Sequence, residues 1–288
     1  MLGKSFHMPL LTLTEIEDMV PAFRSRTGRR IARFLMKALA VDKINDLYDR
    51  NSGCTGPEFA RAILDDIGVE YTVYGKEMLD NLPQGGFITV SNHPYGSIDG
   101  IILADLFGHI RGDYKLIVNR ILARIEALSP NFINVTPTGD TRTAPTGDSI
   151  SGIMSAMRHV NEGHPLGIFP SGAVSDLSLK DRCIRDREWQ LPVIRLIWKL
   201  RVPVLPVRFL DRNSDFYYSL GLIDWKVRLM RLPSEVFNKR GKPVRLVCGD
   251  LIPAEEQSRF RSPEEFGAFL RNRVYALDEA SAPDILRK

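Results

Sequence analysis

The sequence predicts an α/β protein: a mostly parallel central sheet flanked by helices, with a helical cap at the N-terminus. Three observations carry this. From residue 69 onward, short apolar, β-branched runs alternate with stretches long enough for helices, the pattern of β–α–β crossovers. The first 68 residues show helical spacing instead, which divides the chain into a helical region, 1–68, and an α/β domain, 69–288. With 288 residues, 44% of them hydrophobic and 26% charged, the chain can bury a full core.

Taken in order, residues 1–13 read as a loose arm, and Thr14 can cap a short helix over 15–20 that Pro21 stops. Between 28 and 41, Ile31, Phe34, Leu35, Ala38 and Leu39 fall at helical spacing. Arg24, Arg26, Arg29, Arg30, Arg33 and Lys37 accompany them with no acid among them. This helix reads either as a packed surface helix or as one lying on anionic lipid. Residues 44–48 continue helical, Pro57 opens a helix that Gly68 ends, and 69–74 alternates as a strand. Phe87 to Val90 reads as a buried strand, Ser91 to Ser97 as a turn, and the apolar run from Ile98 to Phe107 as a helix. Strands follow at 114–118, 131–135, 165–170 and 204–210, and helices at 120–128, 148–160 and 190–198. Further strands are expected near 226–230 and 244–248, with a last helix over 263–276. Residues 136–146 and 176–189 are polar and read as loops.

Several classes are excluded. The formal net charge of +4 is too mild to point to nucleic acid. Cys54, Cys183 and Cys248 are far apart and lack paired spacing, so neither a disulfide framework nor a metal site is expected, and the thiols read as reduced. No run of 18 apolar residues exists, so no transmembrane helix is expected. Met1 to Leu13 is short and runs into Glu15, Glu17 and Asp18, which does not fit a signal peptide.

The candidate chemistry sits at the turn after the Phe87 strand. In an open α/β sheet, ligands bind beyond the carboxyl ends of the strands, and His93 and Asp99 fall there. An imidazole is the usual general base near neutral pH, and a neighbouring carboxylate fixes its tautomer and stabilises the imidazolium. Pro94 and Gly96 favour the turn that would bring the two together. Backbone N–H groups at the start of the Ile98 helix could receive a developing oxyanion. Alone, the pair reads equally as a loop histidine and a helix-capping aspartate.

Two later pieces recur in fixed order: Phe169-Pro170-Ser171-Gly172 and the Val202 to Val207 strand. With Asn92 to Gly100, these resemble the conserved blocks of the glycerolipid (lysophosphatidate-type) acyltransferases over about residues 60–250. The nearer resemblance is to the bacterial hemolysin-like branch, which includes acyltransferases of ornithine- and glycine-type aminolipids. That branch places five residues between the histidine and the aspartate, as here, and its third block ends in a serine, as Phe169 to Ser175 does. Asn213-Ser214 followed by Phe216-Tyr217-Tyr218 is of the same style.

The resemblance implies transfer of an acyl group from a thioester on acyl carrier protein or CoA to a lyso-lipid, with no bound cofactor and no metal. It implies work at the cytoplasmic side of the inner membrane, as a peripheral protein. His93 becomes the base and Asp99 its orienting partner. Asn92, Gly96, Ser97, Phe169, Pro170, Ser171 and Gly172 become substrate-binding candidates. Lys115, with Asn119 and Arg120, falls where the second block lies, and Arg182 lies in the charged run after the third. Two departures matter: Ser171 replaces the family's glutamate, and Ala173-Val174 replaces the Thr-Arg associated with an acceptor phosphate. Neither side chain can grip a phosphate as a guanidinium does, which points to a lyso-aminolipid acceptor. Acylation of 1-acylglycerol-3-phosphate, N-acylation of an amino acid, and a membrane-binding protein without catalysis stay open as alternatives.

Overall fold

The computed structural model describes residues 13–14, 24–38, 40–135, 147–282 and 284–288. The expected arm over 1–13, the helix over 15–20 and the loop over 136–146 fall almost wholly outside them. Within residues 24–135, the helices α1 (Arg26–Ala38), α2 (Val41–Asn51) and α3 (Gly56–Ile67) come first. Then come β1 (Tyr71–Tyr74), α4 (Lys76–Asp80), β2 (Ile88–Ser91), α5 (Ile98–Ile110), β3 (Lys115–Asn119), β4 (Phe132–Val135), α6 (Gly147–Asn161) and β5 (Leu166–Ile168). A small hairpin of β6 (Asp176–Ser178) and β7 (Cys183–Arg185) precedes α7 (Leu191–Leu200) and β8 (Val204–Phe209). The chain continues with α8 (Asp215–Ile223), α9 (Trp225–Met230), α10 (Leu232–Phe237), β9 (Val244–Cys248), α11 (Pro263–Ala276) and β10 (Ile285–Arg287).

Among the described residues, eight strands form one sheet in the order β10-β1-β9-β8-β2-β5-β3-β4. From β8 to β4 every pairing is parallel, as is β1 with β9; β8 with β9 and β1 with β10 are antiparallel. This is the mostly parallel sheet the sequence predicts. The central strands β2 and β5 are buried at every position, as strands covered on both faces must be. On one face, α3 and α5 pack Ile63, Leu64, Ile102 and Leu106 against Leu116, Leu205 and Val207. On the other, α6, α7 and α11 pack Ala156, Ile197 and Leu270 against Ile88, Val90 and Ile168. Helix α5 is buried over most of its length, Asp99 and Asp105 included, because it lies between the sheet and α3.

Four expectations are corrected. The helix over 120–128 is instead two 3₁₀ segments, Arg120–Arg124 and Glu126–Asn131, with Pro130 unable to continue an α-helix. Residues 225–230 are the helix α9, not a strand. Their alternation is inverted, with Val227 and Leu229 exposed and Arg228 buried, because Arg228 finds its partners inside. The charged stretch 176–189 contains the β6–β7 hairpin, and Asp284 to Lys288 supplies an edge strand too short and polar to register in the sequence. In α1 the packed positions are Gly28, Ala32 and Met36, while Ile31 and Phe34 point to solvent beside the arginines.

Candidate active site

β2 is flanked by β8 and β5, so its carboxyl end opens between theirs. Asn92, the first residue beyond the strand, exchanges two hydrogen bonds with the backbone of Phe209. Its Nδ2 donates to the carbonyl at 2.9 Å and its Oδ1 accepts from the N–H at 2.7 Å. That clamp joins the ends of β2 and β8 and fixes where the following turn starts.

The turn is held from outside. The Tyr218 hydroxyl donates to the Pro94 carbonyl at 2.6 Å, and Asn213 Nδ2 donates to the Tyr95 carbonyl at 3.0 Å. Tyr95 itself is buried edge-on to Phe209. Gly96 has a φ of 77°, and a Cβ there would stand 2.5 Å from Val174 Cγ2, so the bend requires glycine on both counts. The bend turns the chain back into α5 and delivers Asp99 to the turn's own backbone. Asp99 Oδ2 accepts from the N–H of Tyr95 at 3.0 Å and of Gly96 at 3.2 Å, and Oδ1 from the N–H of Gly100 at 3.1 Å. Asp99 thus takes two N–H groups of the turn and, of those at the start of the Ile98 helix that were expected to receive an oxyanion, the one of Gly100.

Asp99 Oδ2 lies 2.7 Å from His93 Nδ1. At that distance the carboxylate is within hydrogen-bond reach of Nδ1, and the two form an ion pair once the ring is protonated. The His93 ring stacks on Phe169 with centroids 4.1 Å apart and an interplanar angle of 30°. Its side chain is 17% exposed. Burial alone would lower its proton affinity, but the Asp99 carboxylate outweighs that, with Asp186 adding to it, and the pKa stands above the ordinary histidine value. An imidazole so placed, with one nitrogen against a carboxylate, can take up a proton at the other.

The backbone of His93 is held as firmly as its ring. Its N–H donates to Asp186 Oδ1 at 3.1 Å, and its carbonyl accepts from the N–H of Ser175 at 2.9 Å. Asp186 is buried and also accepts from Ser175 Oγ at 2.6 Å and Trp189 Nε1 at 3.1 Å. Burial pushes its carboxyl above the usual range despite these donors. Arg228, from α9, donates to the Ser175 carbonyl at 3.0 Å and pairs with Asp176.

The loop after β5 lies beside this turn. The Gly172 N–H closes a turn on the Phe169 carbonyl at 3.0 Å, and Gln190 braces the loop through its N–H to Pro170 and its Nε2 to the Ser171 carbonyl. Ser171 is buried, with its hydroxyl donating to the Ala173 carbonyl at 2.7 Å. Gly172 is exposed at a φ of 62°.

The predicted residues thus divide. His93, Asp99, Gly96 and Phe169 come together directly, with Pro170, Ser171 and Gly172 on the adjoining loop. Asn92 is spent on Phe209, and Ser97 stands at the start of α5 without a side-chain capping bond. Lys115 is not brought to His93. It begins β3 in register with Leu166, as Ile88 does on the other side of β5, and so lies at the amino end of the sheet. Arg182 is exposed in the β6–β7 turn, at a φ of 52°. Cys248 is buried in β9, where burial pushes its thiol up to about 12, a poor setting for a nucleophile. Asn213, Tyr218, Ser175, Asp186 and Arg228 were not singled out as site residues. In sequence, Asp186 and Arg228 are indistinguishable from solvated charges; only burial separates them.

An acyltransferase family model matches residues 17–282. A lyso-glycine lipid O-acyltransferase from Bacteroides thetaiotaomicron is 28% identical over 255 residues, covering 86% of this chain and 89% of that protein. A second protein of that name, from Phocaeicola vulgatus, is 27% identical over 278 residues, covering 92% of this chain and 95% of that protein. Both agree with the aminolipid branch that the sequence blocks resemble.

Proposed function

This chain belongs to the acyltransferase family, and from that premise we propose that it moves a fatty acyl group from acyl carrier protein or CoA to the hydroxyl of a lyso-aminolipid. The observation that carries the mechanism is the 2.7 Å approach of Asp99 to His93 at the carboxyl end of β2. The acceptor hydroxyl gives its proton to His93 Nε2 as its oxygen attacks the thioester carbonyl. Asp99 offsets the positive charge that appears on the ring. The tetrahedral intermediate then collapses, the C–S bond breaks, and the imidazolium returns the proton to the departing thiolate. The products are an ester and a free thiol, and no cysteine of the chain takes part.

The acceptor assignment rests on the loop after β5 and on the names of the relatives. Ala173 and the buried Val174 offer no cation where the phosphate enzymes of the family carry arginine. The membrane assignment rests on the acceptor's being a lipid and the donor a cytoplasmic thioester. It places the protein peripherally on the inner membrane, with the exposed Ile31, Phe34 and arginines of α1 facing lipid. The test is competition. Purified protein is offered lyso-glycine lipid, lyso-ornithine lipid and lysophosphatidate with one acyl thioester. Transfer to an aminolipid is expected to exceed transfer to the phosphate, and a preference for lysophosphatidate overturns the assignment.

A further inference from the structure

Helices α8 and α9 carry seven of the fifteen large apolar side chains that stand exposed among the described residues. On α8, Phe216, Leu222 and Ile223 stand in solvent, Ile223 at 78% exposure. Trp225, Val227, Leu229 and Met230 on α9 do the same, so seven large apolar side chains are open within fifteen residues. The helices are not loosely attached. Tyr217 and Tyr218 are fully buried beneath them, and Arg228 turns inward to Ser175 and Asp176. A rigid element that buries its arginine and exposes its leucine, isoleucine and tryptophan reverses the usual solvent preference, and such a patch marks an interaction face.

We propose that this α8–α9 face, together with the tip of the β6–β7 hairpin, docks on an anionic lipid bilayer and sets the active site against it. The proposal rests on the lyso-lipid reading of the site and names the surface from which that site takes its acceptor. Charge decides for lipid over a second copy of the chain. Lys180 and Arg182 follow the exposed Leu179 at the hairpin tip, which α8 adjoins through β6. The Arg231 guanidinium lies 5.5 Å from the centre of the exposed Phe216 ring, inside the patch. Of the acids on these elements, Asp215 pairs with Arg212 at 3.0 Å, Asp181 pairs with Arg185 at 3.2 Å, and Asp224 is exposed. Apolar side chains with a tryptophan among them and cations at the margin match the depth profile of a membrane interface. Position matters as much. Tyr218 of α8 holds the Pro94 carbonyl, and Arg228 of α9 holds Ser175, whose N–H bonds the carbonyl of His93. The docking face is thereby one hydrogen bond removed from the His93 turn.

The experiment compares the full chain with its Ile223→Glu/Val227→Glu variant by flotation on vesicles of phosphatidylethanolamine and phosphatidylglycerol, with no acyl donor present. Both substituted side chains are exposed, so the melting curve is expected to stay unchanged. Vesicle partitioning is expected to fall about tenfold or more. Acylation of a lyso-aminolipid embedded in vesicles should fall with it, while acylation of a short-chain, water-soluble lyso-aminolipid should not. Should the double variant unfold, Ile223→Ser supplies the same comparison with a milder change. Unchanged flotation overturns the proposal. So does a wild-type protein that ignores vesicles and runs as a dimer which the variant dissolves. Flotation needs no turnover, so loss of binding without any detectable acyl transfer upholds the docking face and removes the lyso-lipid reading instead.

Discussion

A histidine base needs one nitrogen occupied and the other free, and His93 has Asp99 on its Nδ1 side. Three backbone N–H groups grip the Asp99 carboxylate, so it cannot swing away without leaving them unpaired. His93→Ala is expected to lower kcat by about 10²–10⁴. Because Asp99 raises the His93 pKa, the acid limb of kcat/KM should lie above the ordinary histidine value of about 6.5. Asp99→Asn removes the charge but keeps the burial, so the limb should move to lower pH; a pH–rate profile of both proteins measures this. The sign for stability follows. The folded pKa is the higher one, so the pair's contribution is fully present below about pH 6.5 and is lost as pH rises through the folded value. That a turn would bring His93 and Asp99 together was legible in sequence. The uses of Asn92 and of the N–H groups around Gly96 were not, because a polar atom's partner depends on what the fold brings near it.

At the scale of elements, the site is a turn held between two braces. Asn92 ties it to β8, and Tyr218 and Asn213 tie it to the segment that leads into α8 and α9. Tyr218 is buried and its hydroxyl is aimed at one carbonyl, so Tyr218→Phe tests the second brace without changing the core's shape. The expected cost is about 1–2 kcal/mol of stability, read from a urea midpoint, with kcat falling more than KM rises. A Phe variant with an unchanged kcat would show that the brace does not position His93. This segment was the least legible in the chain. Trp225 to Met230 alternates like a strand, and the pattern names the exposed face as the buried one. Hydrophobic alternation assumes that apolar side chains go inward, and an element that meets its own apolar environment outside breaks the assumption.

For the whole molecule, the sheet order does the assembly. Residues 93, 169 and 209 are far apart in the chain, yet β2, β5 and β8 lie side by side and parallel, so the three blocks end at one edge. The proposed N-terminal region 1–68 is joined to this body unevenly. α3 buries Phe59, Ile63, Leu64 and Ile67 in the main core, and its Arg61 pairs with the buried Asp105 of α5. A chain starting at residue 42 is therefore expected to fold, and one starting at 69 to be insoluble or unfolded, as circular dichroism and gel filtration would report. The sequence by itself determined the alternation of strands and helices, hence the parallel sheet, and the residue types at its carboxyl edge. Both follow from local hydrophobic period and turn chemistry. Only the tertiary structure decided that Lys115 lies at the opposite end of the sheet, that Asp186 and Arg228 are buried supports, and that α8 and α9 face outward. Those depend on strand register and on pairing between residues far apart in the chain, which no local pattern encodes.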